Sequence, residues 1–260
     1  MICRLNHVGT ATLILEIGSV RILTDPVFDP PGGSYHFGYG TSSKKLTAPA
    51  IKAEDIGKID AILLSHDHHE DNLDRAGRAL LPLAGKVITT SVGAKRLGGE
   101  NVVGLGSWQS ATVKSGDTEI KITAAPARHG SLGSYLIVGE TTGFILEWNG
   151  QKRGALYISG DTVWFNGLSE IARRFKIGTA ILHIGAAGFP ITGPVRFTLN
   201  AQEAVRVINT VNPHTVIPIH YEGWKHFREP KADAAKHFAA AGMDERICWL
   251  PLGEPVDVEI

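Results

Sequence analysis

Residues 65–74, with the sequence SHDHHEDNLD, constrain the fold and chemistry of this chain more than any other stretch. Nine consecutive residues contain three histidines and four carboxylates: His66, His68, His69, Asp67, Glu70, Asp71 and Asp74. The apolar run 61–64 comes directly before them and predicts a buried strand that ends in a loop. Asn72 or Asp74 is placed to cap a helix over residues 73–83. The sequence therefore predicts a cluster of metal-binding groups where a strand passes into a helix.

Three further potential ligands follow predicted strands elsewhere in the chain. His129 comes after the strand at 119–124, and Asp161 and His220 come after the strands at 155–159 and 215–219. Neutral imidazoles and carboxylates are the ligands of Zn²⁺ and of other divalent metals such as Mn²⁺ and Fe²⁺. We therefore predict one site, built from four strand ends, that holds one or two Zn²⁺ ions, with Mn²⁺ or Fe²⁺ as alternatives.

A metal held in this way suits hydrolysis. A bound ion lowers the pKa of its water from ~15.7 toward ~7, which gives hydroxide at neutral pH. Two ions ~3.5–4 Å apart share that hydroxide and polarise the substrate as well. Asp161 is the natural bridge between two ions, and Asp71 is the general base if only one ion binds.

The overall composition limits the other functions. The 260 residues contain 26 Lys and Arg against 26 Asp and Glu, so no net charge recruits nucleic acid or an anionic membrane. No apolar run is long enough to span a membrane, and the distant pair Cys3 and Cys248 predicts a reduced, cytoplasmic protein. We expect a single domain over residues 1–260, with two similar halves at roughly 1–115 and 116–260. A small-molecule substrate is the expected partner, and a homo-oligomer is compatible with the sequence.

The order of these motifs resembles that of the metallo-β-lactamase fold superfamily. The match consists of a His-x-His with a nearby Asp, His129 after a strand, Gly160-Asp161-Thr162 after a strand, and His220 after a strand. The details are most similar to the branch of ascorbate-6-phosphate lactonase and N-acyl-phosphatidylethanolamine phospholipase D. The resemblance implies an α/β (α+β) fold, a four-layer αββα sandwich with the metals at one edge of its two sheets. It also implies hydrolysis of a lactone, ester, amide or phosphodiester.

The resemblance also implies the role of each ligand. His66, one of His68 and His69, and His129 would hold the first metal. Asp71 and His220 would hold the second, with Asp161 between the two ions.

Residues 66–72 depart from the His-x-His-x-Asp-His pattern of the superfamily. The stretch is one residue longer, and Asn72 stands where the last His belongs. Either His68 or His69 is the partner of His66. We favour His69 slightly, because that alignment preserves the distance to the start of the helix.

Other residues carry weaker predictions. His183 lies in a predicted strand just before a loop and is predicted to contact the leaving group or to donate to the oxyanion. Asp25 is predicted to accept a hydrogen bond from a ligand imidazole. Arg128 and Arg196 are candidates for binding a carboxylate or phosphate. His214, His226 and His237 are predicted to be solvated.

Two loops, 28–40 and 185–198, are candidates for the substrate pocket. The predicted function is hydrolysis by a metal-bound hydroxide that attacks a small ester, lactone or phosphoester. The alternatives are a non-hydrolytic metal-binding or redox protein on the same fold, or a phosphodiesterase or nuclease.

Overall fold

The computed structural model describes residues 2–131 and 138–260, which form two large β-sheets and a small hairpin. The strands in chain order are β1 (Ile2–Gly9), β2 (Thr12–Ile17), β3 (Val20–Thr24), β4 (Ser34–His36), β5 (Ser42–Lys44), β6 (Ala61–Leu63), β7 (Lys86–Thr90), β8 (Val102–Leu105), β9 (Ser110–Ser115), β10 (Thr118–Pro126), β11 (Thr142–Trp148), β12 (Ala155–Ile158), β13 (Ile177–His183), β14 (Thr215–Ile219) and β15 (Pro255–Glu259). The α-helices are α1 (Arg75–Arg78), α2 (Ser91–Leu97), α3 (Leu168–Arg174), α4 (Ala201–Val211) and α5 (Lys231–Ala240).

The strand order of the sheets brings the predicted site residues to one edge. The first sheet has the order β15-β1-β2-β3-β6-β7-β8, and the second has the order β14-β13-β12-β11-β10-β9. Strands β3, β6, β7 and β8 are parallel, as are β12, β13 and β14. Strand β10 runs antiparallel to β11, which is antiparallel to β12, so β10 and β12 end at the same edge. The chain therefore leaves five of these strands, β3, β6, β10, β12 and β14, close to one another.

The two sheets pack face to face around one apolar core. Side chains such as Leu13, Leu15 and Ile22 of the first sheet meet Ile120 and Phe144 of the second, and all are buried. Each sheet buries its outer face against helices: α3, α4 and α5 cover the second sheet, and α1 and α2 flank the first. These four layers confirm the predicted αββα sandwich. Every residue of β13 is buried, as expected for a parallel strand covered on both faces.

Two sequence predictions differ from the structure, and a third falls outside the described residues. The helix predicted over 73–83 is wrong: α1 is a single turn, followed by a 3₁₀ turn at Leu81–Leu83. Pro82 contributes to the break, because proline has no N–H to donate to the carbonyl of Arg78 one helical turn earlier. The strand predicted at 247–250 is reduced to one bridge, between Val216 and Ile247. The strand predicted at 134–138 falls mostly on residues 132–137, outside the described residues.

The predicted boundary between two halves also differs from the division into sheets. Strand β9 lies within the predicted first half but belongs to the second sheet. Strand β15 lies within the predicted second half but forms the edge of the first sheet. Of the helices described, none is long and apolar enough to cross a membrane.

Candidate metal centre

Three histidines converge at the edge where the strands end. His66 Nε2 and His129 Nε2 each lie 3.0 Å from His69 Nδ1. His66 follows β6, His69 lies in the loop after it, and His129 follows β10, and all three side chains are buried. The three offer nitrogen atoms within 4.8 Å of one another. One metal ion at this point would contact all three.

Hydrogen bonds on the far side of the rings fix which nitrogens face the centre. His129 Nδ1 donates to the carbonyl of Phe197 at 2.8 Å, so the Nε2 of the neutral ring carries a lone pair. His66 Nδ1 lies 2.9 Å from the hydroxyl of Ser65. Burial lowers the pKa of His66, His69 and His129, and neighbouring imidazoles lower it further. Neutral rings whose lone pairs meet at one point are the donor set that a divalent cation requires, so these residues fit a metal.

His68 lies apart from this group. Its Nε2 contacts the carbonyl of Val138, and its Nδ1 lies 3.8 Å from Asp67 Oδ1. Asp67 itself is held by the guanidinium of Arg96, with Arg96 Nε 2.9 Å from Asp67 Oδ2. Of the two alignments left open by the sequence, the structure brings together His66, His69 and His129 and leaves His68 outside.

A second group of ligand atoms lies at the same edge, formed by Asp71, Asp161 and His220. His220 Nε2 is 3.4 Å from Asp71 Oδ2 and 3.6 Å from Asp161 Oδ1, and it is buried without a hydrogen-bond partner. Burial lowers the pKa of His220, but the carboxylates of Asp161 and Asp71 outweigh it and raise the pKa to about 9. A metal cation fits in place of the proton on His220 Nε2, because two carboxylates and this unpaired ring nitrogen face the same point.

Asn72 occupies the position of the histidine that the superfamily pattern leads one to expect. With its amide nitrogen turned toward the carboxylates, Asn72 lies 3.2 Å from both Asp71 Oδ1 and Asp161 Oδ2 and donates to both. It is fully buried. In this geometry Asn72 orients the two carboxylates of the second group.

His183 contacts one of the candidate ligands. Its Nδ1 lies 2.9 Å from Asp161 Oδ1, its side chain is fully buried, and it does not line the cavity described below. The all-buried strand β13 thus places His183 to orient Asp161, and its contact with the leaving group or the oxyanion stays a prediction. Asp25 accepts a hydrogen bond from the backbone of Ser65 at 2.7 Å, and its Oδ2 lies 4.0 Å from His183 Nε2.

His226 is the site residue that sequence reasoning missed. It is buried rather than solvated: its Nε2 donates to Asp71 Oδ2 at 3.0 Å, and its Nδ1 lies 2.7 Å from the hydroxyl of Ser43. Burial raises the pKa of Asp71, but the imidazoles of His220 and His226 beside its carboxylate outweigh that effect and hold the pKa well below the usual range. The aromatic residues Trp224 and Phe227 around His226 were the available signal that this segment is buried.

A cavity of about 540 Å³ opens onto both groups. Its wall includes His69, Asp71 and His129 from the centre, and aromatic side chains from the two loops at 28–40 and 185–198. Arg128 and Arg196 do not line it: Arg128 donates to the carbonyl of Trp164, and Arg196 pairs with Glu203 at 3.1 Å. The loops predicted to shape a pocket do so, whereas the two arginines predicted to bind an anion lie elsewhere.

Comparison with known proteins places this geometry in a family context. A family model described as "Beta-lactamase superfamily domain" matches residues 20–221. A protein from Caldivirga maquilingensis named "UPF0173 metal-dependent hydrolase" is 27% identical over 264 residues, covering 98% of each chain. A protein of the same family name from Pyrococcus abyssi is 26% identical and covers 98% of this chain and 99% of its own.

Solved structures share the fold. The crystal structure of an isothiocyanate hydrolase from Delia radicum gut bacteria has a TM-score of 0.81 and 20% identity, covering 99% of this chain and all of that one. The metallo hydrolase Igni18 from Ignicoccus hospitalis has a TM-score of 0.72 and 23% identity, with full coverage of both chains. At these identities the likeness concerns the fold, and it extends over the whole described chain.

Proposed function

The chain belongs to the beta-lactamase superfamily domain family, and from that membership we propose that it is a metal-dependent hydrolase. One observation carries the proposal: two groups of three buried ligand residues lie beside a cavity of about 540 Å³. Within each group, the three ligand atoms lie within 4.8 Å of one another. The names of the relatives from Caldivirga and Pyrococcus agree with it.

We assign each ligand from the geometry of the two groups. His66, His69 and His129 would hold one ion, and Asp71, Asp161 and His220 a second. Zn²⁺ is the proposed metal, because three neutral imidazoles suit it well. When bound, the metal would supply a Lewis acid and an activated water.

The chain's own residues do the remaining work. His226 and Asn72 orient Asp71, and His183 orients Asp161. With only the first ion bound, Asp71 is placed to accept a proton from a water in the cavity, because it is the ionised carboxylate that reaches the cavity wall. The aromatic wall excludes bulk water, which strengthens electrostatic interactions at the centre. We propose a small carboxylic ester or lactone as the substrate.

Metal analysis and hydrolysis assays on matched variants test this function. The purified protein should contain stoichiometric metal and hydrolyse a panel of lactones and esters, and both properties should be lost in His129→Ala. His214→Ala is the control, because His214 is exposed and remote from both groups. Metal-free protein, or activity that survives chelation and His129→Ala, would contradict the proposal.

A further inference from the structure

The wall of the cavity is largely apolar, and aromatic rings form the part of it beside the ligand groups. Phe37 comes from the β4–β5 hairpin, and its ring centroid lies 5.7 Å from that of His69 and 5.3 Å from that of Phe189. Phe189 stacks on the His226 ring at 5.0 Å, and Phe197 packs against His129 at 5.6 Å. These rings stand directly beside the two ligand groups. Any substrate whose reacting bond lies at the centre would place its remaining atoms against them.

Charged side chains are scarce in the described part of this wall. Among the described residues that line the cavity there is no Lys or Arg, and Asp71 is the one carboxylate. Residues 132–137 contain neither Lys nor Arg in their sequence. Arg228 lies behind the loop and donates to the backbone carbonyls of Phe189 and Gly193, so its charge is used to hold the wall. A charged group in the apolar part of the cavity would lose its hydration without gaining a partner.

Resting on the proposed function, we infer that the cavity selects substrates whose part remote from the scissile bond is uncharged and apolar, an aryl or alkyl group. The substrate class is thus an uncharged ester or lactone with a hydrophobic substituent. A carboxylate or phosphate carried on that substituent is rejected. The inference concerns the remote substituent alone, because a metal at the centre attracts anions to the reacting end.

Three matched esters test the inference on the holoenzyme. Phenyl butyrate is neutral at both ends, monophenyl succinate is charged at the acyl end, and 4-carboxyphenyl butyrate is charged at the aryl end. Whichever end enters the cavity, charging it should lower kcat/KM by about 100-fold or more, because an unpaired charge is costly to desolvate. The inference is overturned if both charged esters stay within about threefold of phenyl butyrate.

Substitutions in the cavity wall test the same selectivity through the ratio of rates for two substrates, which a loss of folded protein does not change. Phe189→Ala should lower kcat/KM for phenyl butyrate by about tenfold or more, given the apolar area a buried Phe contributes. Phe175→Ala, which removes the same atoms outside the cavity, should not. Val195→Lys, which places a cation on the wall, should raise the relative rate of the disfavoured charged ester by about tenfold or more. No gain in that ester would count against the inference, because misfolding cannot mask a ratio of two substrates.

A binding measurement separates failure of the inference from failure of the proposed function. If no ester is hydrolysed, the proposed hydrolase function fails, and calorimetry with the neutral ketone butyrophenone decides the inference. Butyrophenone should bind, and Phe189→Ala should raise its Kd by about tenfold. Absence of binding, or a Kd unchanged in Phe189→Ala, overturns it.

Discussion

His68 and His69 are adjacent in the sequence, yet their imidazoles serve different contacts. His69 Nδ1 lies 3.0 Å from the facing nitrogens of both His66 and His129, whereas His68 contacts the backbone of Val138. The backbone conformation of this loop determines which of the two imidazoles faces His66 and His129. The residue types cannot, because both are histidine. The sequence therefore reduced the candidates to two, and the position of the ring in three dimensions was needed to separate them.

Substituting each histidine in turn tests this assignment. His69→Ala should weaken zinc binding by more than the ~10–100-fold that loss of a ligand's hydrogen-bond partner costs. His68→Ala should change it by less than about threefold. Competition with a chromophoric chelator measures both affinities. The reverse order of effects, or equal losses, would show that His68 is a ligand.

His7 is a buried histidine outside both ligand groups, and it makes a pH-dependent contribution to stability. Its Nε2 donates to the carbonyl of Thr10 at 3.2 Å, and its Nδ1 is buried without a hydrogen-bond partner. Burial lowers the pKa of His7 from 6.5 to about 4. Because the folded pKa lies below the unfolded one, the stabilising contribution is complete above pH 6.5 and is lost as the pH falls toward 4.

We predict the size of this effect from the two pKa values. The free energy of unfolding of the wild type, relative to His7→Gln, should fall by about 3 kcal/mol between pH 8 and pH 4. Glutamine keeps a donor for the Thr10 carbonyl but does not titrate. Urea denaturation of both proteins in the presence of a chelator measures the difference. A difference that is constant with pH would contradict the account.

At the scale of the element, the β4–β5 hairpin carries Phe37 to the cavity and is held down by buried polar contacts. Directly after β5, Lys45 Nζ lies 3.0 Å from Asp74 Oδ2, and both side chains are almost fully buried. Asp74 also caps α1 by accepting from the backbone of Gly77 at 2.8 Å. Helix α1 packs so closely that a Cβ on Gly77 would meet the Pro26 carbonyl at 1.8 Å. One carboxylate thus ties the hairpin to the helix that follows the metal-binding loop.

Neighbouring lysines give a matched test of this link. Lys45→Met should lower the free energy of unfolding by about 3 kcal/mol, because it leaves the buried Asp74 carboxylate without its cation. Lys44→Met should change it by less than about 0.5 kcal/mol, since Lys44 is exposed. Chemical denaturation measures both. Equal effects would show that the buried pair does not anchor the hairpin.

The secondary-structure elements differ in how well their own sequence predicts them. The periodicity of residues 201–211 predicts helix α4, and the capping box of Asn200 and Glu203 sets its N-terminus locally. The hairpin at 34–44 was missed, because its strands are three residues long and depend on contacts such as Phe37 with Trp224. Local signals specify an element when its own residues stabilise it, and fail when distant residues do.

At the scale of the molecule, the order of motifs in the sequence was enough to predict the sandwich and the family. Every proposed ligand was named from a strand end, and the parallel strands bring these ends to one edge. His226 was predicted to be solvated, because it reaches Asp71 from a loop six residues beyond the last strand-end ligand. The apolar character of the cavity also required the structure, since it depends on how two separate loops meet.

Two groups of residues at this edge are proposed to hold a pair of metal ions. A crystal structure of the metal-loaded protein with anomalous scattering data, collected at the metal's absorption edge, tests this proposal most directly. We predict two anomalous peaks ~3.5–4 Å apart, one bound by His66, His69 and His129, the other by Asp71, Asp161 and His220. Metal bound elsewhere, or the absence of a peak at either group, would show that these residues are not the ligands.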